Sequence, residues 1–215
     1  MNKNAGQPAF FCAYYLMLKT IFLVRHTETV KINHLIGASD VPLPLASLER
    51  LQSQLDECPN IQKVISSPRQ RCSQAARIFS EAHQVPLEIE PKIQEMDFGD
   101  WDGHCYEWLW QNTANPSIGD FWQDPWSHIP PNGEPMTSFE RRVESWWQEI
   151  VSSPNDDAIL VVTHGGVIKV LLAIVLALPH KSATHLNCFE VGYGCIVRLS
   201  VYYDNNGVAW PKVVF

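Results

Sequence analysis

Two histidines occupy matching positions in this chain. The apolar run Ile21-Phe22-Leu23-Val24 stops abruptly at Arg25 and His26, with Glu28 close behind. Far downstream, Ile159-Leu160-Val161-Val162 runs through Thr163 into His164, then Gly165 and Gly166. Short runs rich in Ile and Val read as strands buried on both faces. Such a strand does not end in a charged pair unless something meets the charge. A neutral imidazole is a competent nucleophile near neutral pH. Arginine grips phosphoryl oxygens through paired N–H groups. A helix opening at the glycine pair adds free N–H donors and a favourable dipole end. These are the parts of an anion site.

The elements that position these residues follow from periodicity. A strand is predicted over Thr20–Val24 and a helix over Leu45–Cys58, with Leu48, Leu51 and Leu55 on its buried face. A short strand at Val64-Ile65 leads into SSPRQRC, where Pro68 suits the first turn of a helix reaching about His83. Val85–Pro91 alternates and reads as an outer strand. TSFE, Thr137 to Glu140, reads as a capping box opening a helix with Phe139, Val143, Trp146 and Ile150 as its buried stripe. After the Ile159–Val162 strand, a helix is predicted over Val167–Leu178, stopped by Pro179. Phe189–Val191 and Ile196–Val201 read as two final strands around Gly192 and Gly194. Strands alternating with helices predict an α/β fold with a mostly parallel sheet. Ligands of open α/β sheets sit beyond the carboxyl ends of the strands. His26 and His164 lie there, and Arg71 and Glu95 follow the next two strands, so the four converge on one edge. Two Arg and two His make a cationic pocket suited to a phosphate monoester.

Residues 96–135 differ from the rest. Prolines punctuate their second half, and seven of the eight tryptophans lie between Trp101 and Trp147. The expectation is a loop-rich wall over the site, most of its tryptophans filling core space. The net charge of −7 argues against nucleic acid as a partner. Six cysteines without a CxxC pair predict reduced thiols in a cytoplasmic protein. The eight histidines contain no HxxxH or HxH pair, so no metal site is predicted. Phe10–Leu18 is apolar but too short to span a bilayer, and it lacks an A-x-A cleavage site. Residues 1–18 are therefore expected to be an extension, with Met17 a candidate natural start, ahead of one domain over 19–215. No membrane association is predicted.

RHTET, SSPRQRC, EMDFGDWDG and VVTHGGV, in that order, resemble the histidine phosphatase superfamily, which has the phosphoglycerate-mutase-like fold. The resemblance covers about residues 19–200. It implies a three-layer α/β/α sandwich around a mixed sheet and a metal-independent phosphatase without a cofactor. It also implies that His26 is the nucleophile, forming a phosphohistidine, and that Glu95 is the general acid. Arg25, Arg71 and His164 would then hold the phosphoryl oxygens. EMDFGDWDG, GASDVPL and IPPNGEPMTSFERRVE look most like the alpha-ribazole phosphatases of cobalamin biosynthesis. A broader phosphatase of sugar phosphates or nucleotides stays open, and so does a catalytically inert binding module. The presence of His26, Arg71, Glu95 and His164 together favours an enzyme acting on a small phosphomonoester.

The chain departs from the family pattern in places. Thr27 stands where RHGET has glycine, and Arg69 where SSPLxRA has leucine. The Asn usually found six residues after the catalytic His is Ile32 here, so Asn33, one place late, is the candidate phosphate contact. Arg69 is either a solvated helix residue or an extra phosphate contact. Asp97, Asp100 and Asp102 are expected to shape turns rather than to act as the acid. Glu134 is expected to cap a helix, with substrate contact as the alternative. Gly165 joins the substrate-binding candidates as the first free amide after His164. His34, His83, His104, His128, His180 and His185 have no strand-end context and are expected to be structural. Cys72 and Cys105 are expected to pack.

Overall fold

The structure, a computed structural model, describes residues 18–153, 158–179, 181 and 187–215. Residues 10–17 of the apolar N-terminal segment, together with His180 and His185, lie outside the described residues.

Six strands form one sheet: β1 (Leu18–Arg25), β2 (Lys63–Ser66), β3 (Leu87–Ile89), β4 (Ala158–Thr163), β5 (Ile196–Tyr203) and β6 (Ala209–Val214). Their order is β3-β2-β4-β1-β5-β6. The first four are mutually parallel, whereas β5 and β6 run antiparallel at one side. The central strands are buried on both faces, and alternate residues feed opposite cores. Ile21, Leu23, Ile65, Ile159 and Val161 face one core, with Phe139, Val143, Trp146, Val167 and Leu171. Phe22, Val24, Val64, Leu160 and Val162 face the other, with Leu48, Leu51, Leu55 and Phe79. Helices α1 (Leu45–Asp56) and α2 (Gln70–His83) therefore cover one face. On the other lie α3 (Tyr106–Asn112), α4 (Ile118–Gln123), α5 (Met136–Val151) and α6 (Gly165–Val175). This is the three-layer α/β/α sandwich.

Several local expectations are corrected. The Phe189–Val191 strand does not form, because this segment crosses the end of β1 and its Val191 carbonyl accepts a bond from the Arg25 side chain at 2.6 Å. The last strand is instead β6, unread in the sequence because Pro211 interrupts it; an edge strand tolerates that proline. The Thr137–Glu140 capping box is absent. Pro135 is the N-cap of α5, and Glu140 accepts a bond from Trp126 Nε1 at 2.8 Å instead. The capping box that does form is Ser117 with Asp120, at the start of α4 in the wall. Pro68 precedes the N-cap of α2 rather than sitting in its first turn. Helix α6 begins at Gly165, so both glycines belong to its first turn, and it ends at Val175, short of Leu178. No described helix is long and apolar enough to cross a membrane.

The layer of α1 and α2 rests on a few fully buried leucines. Leu51 is 0% exposed, and Leu51→Ala is expected to cost about 2–5 kcal/mol. Urea unfolding at fixed pH measures it as a lower midpoint with an unchanged m value.

Candidate active site

Parallel pairing of β1 with β4 aligns Arg25 with Thr163. The next residue on each strand is a histidine, and the His26 N–H donates to the Thr163 carbonyl at 3.0 Å. The two rings meet edge to face, 5.2 Å between centroids. His26 Nδ1 lies 2.7 Å from the Thr27 carbonyl. A carbonyl only accepts, so Nδ1 carries the proton and Nε2 keeps its lone pair. His164 has the opposite tautomer. Its Nδ1 accepts from Arg71 Nε at 3.3 Å, so Nε2 carries the proton and donates to Ser67 Oγ at 2.7 Å.

Both rings are held neutral. Burial, then the charges of Arg71 and Arg25, lower His26 from 6.5 to about 3, although its bond to Thr27 acts in the opposite sense. Burial, followed by Arg71 and His26, pushes His164 well below the ordinary range. Arg71 is itself fully buried. Two of its N–H groups donate to the carbonyls of Ser39 and Gly37, both at 2.7 Å. The N–H groups of the same two residues donate to the Asp102 carboxylate at 2.7 and 3.1 Å. The 37–39 loop is thus held between a guanidinium and a carboxylate. Gly37 is required there, since a Cβ would lie 2.0 Å from the Met96 carbonyl.

Glu95 reaches the same edge from the turn after β3. Its Oε2 accepts the Gly166 N–H at 3.1 Å and its Oε1 accepts its neighbour Met96 N–H at 3.1 Å. The Glu95 side chain is therefore seated on the first turn of α6. In front of His26 and Glu95 opens a cleft of about 460 Å³. Arg25, Lys169, His34, Gly165 and Gly166 supply its polar rim, and Phe98, Tyr106, Phe121, Trp122, Phe139 and Tyr193 its aromatic wall. Among the described residues, no three His, Cys, Asp or Glu side chains gather as a metal site would require.

The sequence profile of the Histidine phosphatase superfamily (branch 1) matches residues 21–211. The chain belongs to the histidine phosphatase superfamily. It is 32% identical over 180 residues to the adenosylcobalamin/alpha-ribazole phosphatase of Escherichia coli (strain K12), covering 81% of this chain and 86% of that one. The crystal structure of the alpha-ribazole phosphatase from Shigella flexneri superposes with a TM-score of 0.74 at 28% identity, over 91% of this chain and 95% of that one. A mycobacterial glucosyl-3-phosphoglycerate phosphatase shares the fold, with a TM-score of 0.77 at 20% identity over 91% and 96% of the two chains. The protein is a phosphatase acting on a small phosphate compound.

Within this histidine phosphatase the predicted residues separate into two sets. His26, Arg25, Glu95 and Gly165 line the cleft. His164 and Arg71 sit behind them, sealed from solvent, Arg71 reaching His26 by its charge and His164 by edge-to-face ring contact. Asn33 does not line the cleft. It is exposed, in a left-handed turn at φ 58°, and only its carbonyl is used, accepting from Tyr106 N at 3.0 Å. The next residue, His34, lines the cleft instead, its Nδ1 2.6 Å from the Ile32 carbonyl. Arg69 is the N-cap residue of α2, and its side chain does not line the cleft. Asp97 holds the Gly99 N–H within its own turn as expected, whereas Asp102 binds the N–H groups of Gly37 and Ser39 in another loop and Asp100 accepts from the Asn132 side chain. Glu134 neither caps a helix nor lines the cleft; it pairs with Arg142. Cys72 is buried against His164, and burial raises its thiol to about 12.

Sequence reasoning missed Lys169, Tyr106, Tyr193 and Arg142. Lys169 carried a usable signal: it lies four residues after Gly165 and so shares its helix face. Arg25 holds Tyr193 by a cation–π contact, Cζ lying 3.9 Å from the ring centroid. No periodicity announces that contact.

Unfolded chains protonate their histidines near pH 6.5, whereas folded His26 stays neutral down to about 3. As pH falls below 6.5 the unfolded state gains protons that the folded state refuses, so stability falls. Between pH 7 and pH 5 this amounts to about 2 kcal/mol per such histidine. Urea unfolding at the two pH values should show a drop smaller by that amount in His26→Asn. A Cβ on Gly166 would sit 2.3 Å from Glu95 Oε1 and 3.3 Å from the Phe139 ring. Gly166→Ala should therefore displace the carboxylate and lower kcat by about 100-fold, with folding confirmed by circular dichroism.

Proposed function

We propose that this phosphatase works through a phosphohistidine on His26 and that its substrate is alpha-ribazole 5′-phosphate, handled in assembly of the cobalamin nucleotide loop. The observation that carries the chemistry is the tautomer of His26. Its proton is committed to the Thr27 carbonyl, which leaves the Nε2 lone pair for phosphorus in the same cleft as the Glu95 carboxyl.

Nε2 attacks phosphorus in line with the ester oxygen. The P–O bond breaks and a P–N bond forms. Glu95, protonated, gives its proton to the departing alkoxide, and the alcohol leaves. The resulting carboxylate takes a proton from water, which attacks the phosphohistidine. The P–N bond breaks, and phosphate leaves with Nε2 restored. The transition state spreads negative charge over the equatorial oxygens. Arg25 and the first amides of α6 stand at the cleft to meet that charge, backed by the field of Arg71. His164 supports the nucleophile's ring by edge-to-face contact. The imidazolium-like charge that develops on His26 as the P–N bond forms is costly beside the arginines until the phosphoryl group is in place to neutralise it.

Support for the substrate comes from the Escherichia coli relative at 32% identity and from the aromatic lining of the cleft. A benzimidazole-type base has a flat face that Trp122 or Tyr106 can stack against. Cleft-lining Lys169 and Glu190 flank the same space and offer partners for ribose hydroxyls.

Phosphate release in EDTA from alpha-ribazole 5′-phosphate, 3-phosphoglycerate, a nucleoside monophosphate and p-nitrophenyl phosphate tests this. The expected result is a kcat/KM about 100-fold higher for alpha-ribazole phosphate, a discrimination of about 2.7 kcal/mol, and no turnover by His26→Ala. Trp122→Ala should raise KM for alpha-ribazole phosphate about tenfold while sparing p-nitrophenyl phosphate. Esters reacting within a few-fold of one another would replace this substrate with a broad range of phosphomonoesters.

A further inference from the structure

Arg142 projects from α5 toward the turn that carries Glu95, and every N–H of its guanidinium has an acceptor. Nε donates to Glu134 Oε1 at 2.8 Å, and one Nη donates to Glu134 Oε2 at 2.9 Å. That Nη also donates to the Glu95 carbonyl at 3.0 Å. The other donates to the carbonyls of Lys92 and Gln94, both at 2.7 Å. A guanidinium has five N–H donors, so none is spare. Three backbone carbonyls of the segment that carries Glu95, those of residues 92, 94 and 95, end on one side chain. The pair is well shielded, with side-chain exposures of 20% for Arg142 and 18% for Glu134.

The surroundings make this a clamp rather than a surface bridge. Thr163 Oγ1 donates to the Ile93 carbonyl at 2.7 Å, tying the same turn to the end of β4. The Glu134 N–H donates to the Asp97 carbonyl at 2.8 Å, so the segment is gripped on both sides of Glu95. Arg142 also lies over the ring of Phe139, 4.7 Å from its centroid, and Phe139 lines the cleft. Without Arg142, the carbonyls of Lys92, Gln94 and Glu95 lose their shared donor, and partly buried carbonyls then seek others. The Glu95 carboxyl would shift, and a misplacement of about 1 Å costs up to 100-fold in a proton-transfer step.

We infer that Arg142 is the positioning residue for the catalytic acid: bridging Glu134 to the carbonyls of residues 92, 94 and 95, it fixes where Glu95 delivers its proton. This rests on Glu95 being the general acid, as proposed above. Glu134 completes the device by neutralising Arg142 and orienting its fork.

The experiment compares kcat/KM for two esters. One is glycerol 2-phosphate, whose alkoxide leaves only when protonated. The other is p-nitrophenyl phosphate, whose phenolate leaves without much help. The variants are Arg142→Gln, Arg142→Lys, Glu95→Gln and the double variant Arg142→Gln/Glu95→Gln. If Glu95 is the acid, Glu95→Gln lowers the alkyl-to-aryl ratio of kcat/KM by about 100-fold. If that ratio does not move, the acid assignment itself fails, whatever Arg142 does. Given that it moves, Arg142→Gln should lower the same ratio by at least tenfold, Arg142→Lys should restore part of it, and the double variant should fall less than threefold below Glu95→Gln. Equal losses on both esters, or losses that multiply in the double variant, would mean that Arg142 supports the fold alone and overturn the inference. Glu134→Gln, which keeps Arg142 but breaks the ion pair, gives the same readout should Arg142→Gln not fold. A ratio unchanged in Glu134→Gln would then count against the clamp.

Discussion

The site depends first on the in-register parallel pairing of β1 with β4. Because Arg25 pairs with Thr163, the residues that follow come out side by side at one edge. A slip of one residue would turn one imidazole to the other face of the sheet, since side chains alternate along a strand. The pairing is fixed by burial. Ile21 to Val24 and Ile159 to Val162 fill two cores at once, so every alternative register would place apolar side chains against mismatched neighbours. Core packing thereby sets the distance between the two imidazoles.

Charge is the second constraint, and it is met by backbone. The protein is acidic, yet its centre holds Arg71 in full burial with Arg25 nearby. An isolated buried cation would be costly. Arg71 is instead bonded to two carbonyls and to the neutral His164, with Glu95 and Asp102 close enough to favour its charge. Burial first, and then the same field, keeps both imidazoles unprotonated. A neutral imidazole keeps a lone pair, so burial and the nearby arginines together leave the Nε2 of His26 unprotonated. The buried thiol of Cys72 against His164 stays protonated for the same reason of burial and takes no part in this.

The wall couples specificity to catalysis. Phe98, Trp101 and Trp122 pack edge-on around Phe121; Phe98, Phe121 and Trp122 line the cleft, and Trp101 fills the core beneath it. The wall ends at Glu134, which holds Arg142, which holds the Glu95 turn. The cleft wall and the turn that carries Glu95 thus belong to one connected piece.

Much of this was legible in the sequence. Strand-end His26 and His164, the first-turn Arg71 and the turn-borne Glu95 follow from apolar runs and the rule that ligands gather at the carboxyl ends of strands. The α/β class and the buried faces of α1 and α5 follow from periodicity, which depends only on local spacing. Contacts made across the chain were not legible. Asn33 and His34 differ by one position, and only the left-handed turn at Asn33 decides which of them faces the cleft. Glu134 looked like a cap because capping is a local pattern; its true partner, Arg142, lies eight residues away on α5, and together they grip carbonyls about fifty residues off in sequence. The sequence by itself determined which chemistry the chain can perform, because residue type and strand-end position are local properties. Only the tertiary structure decided which nitrogen of His26 is free and what holds Glu95 in place, because both are set by hydrogen bonds whose partners are chosen by packing.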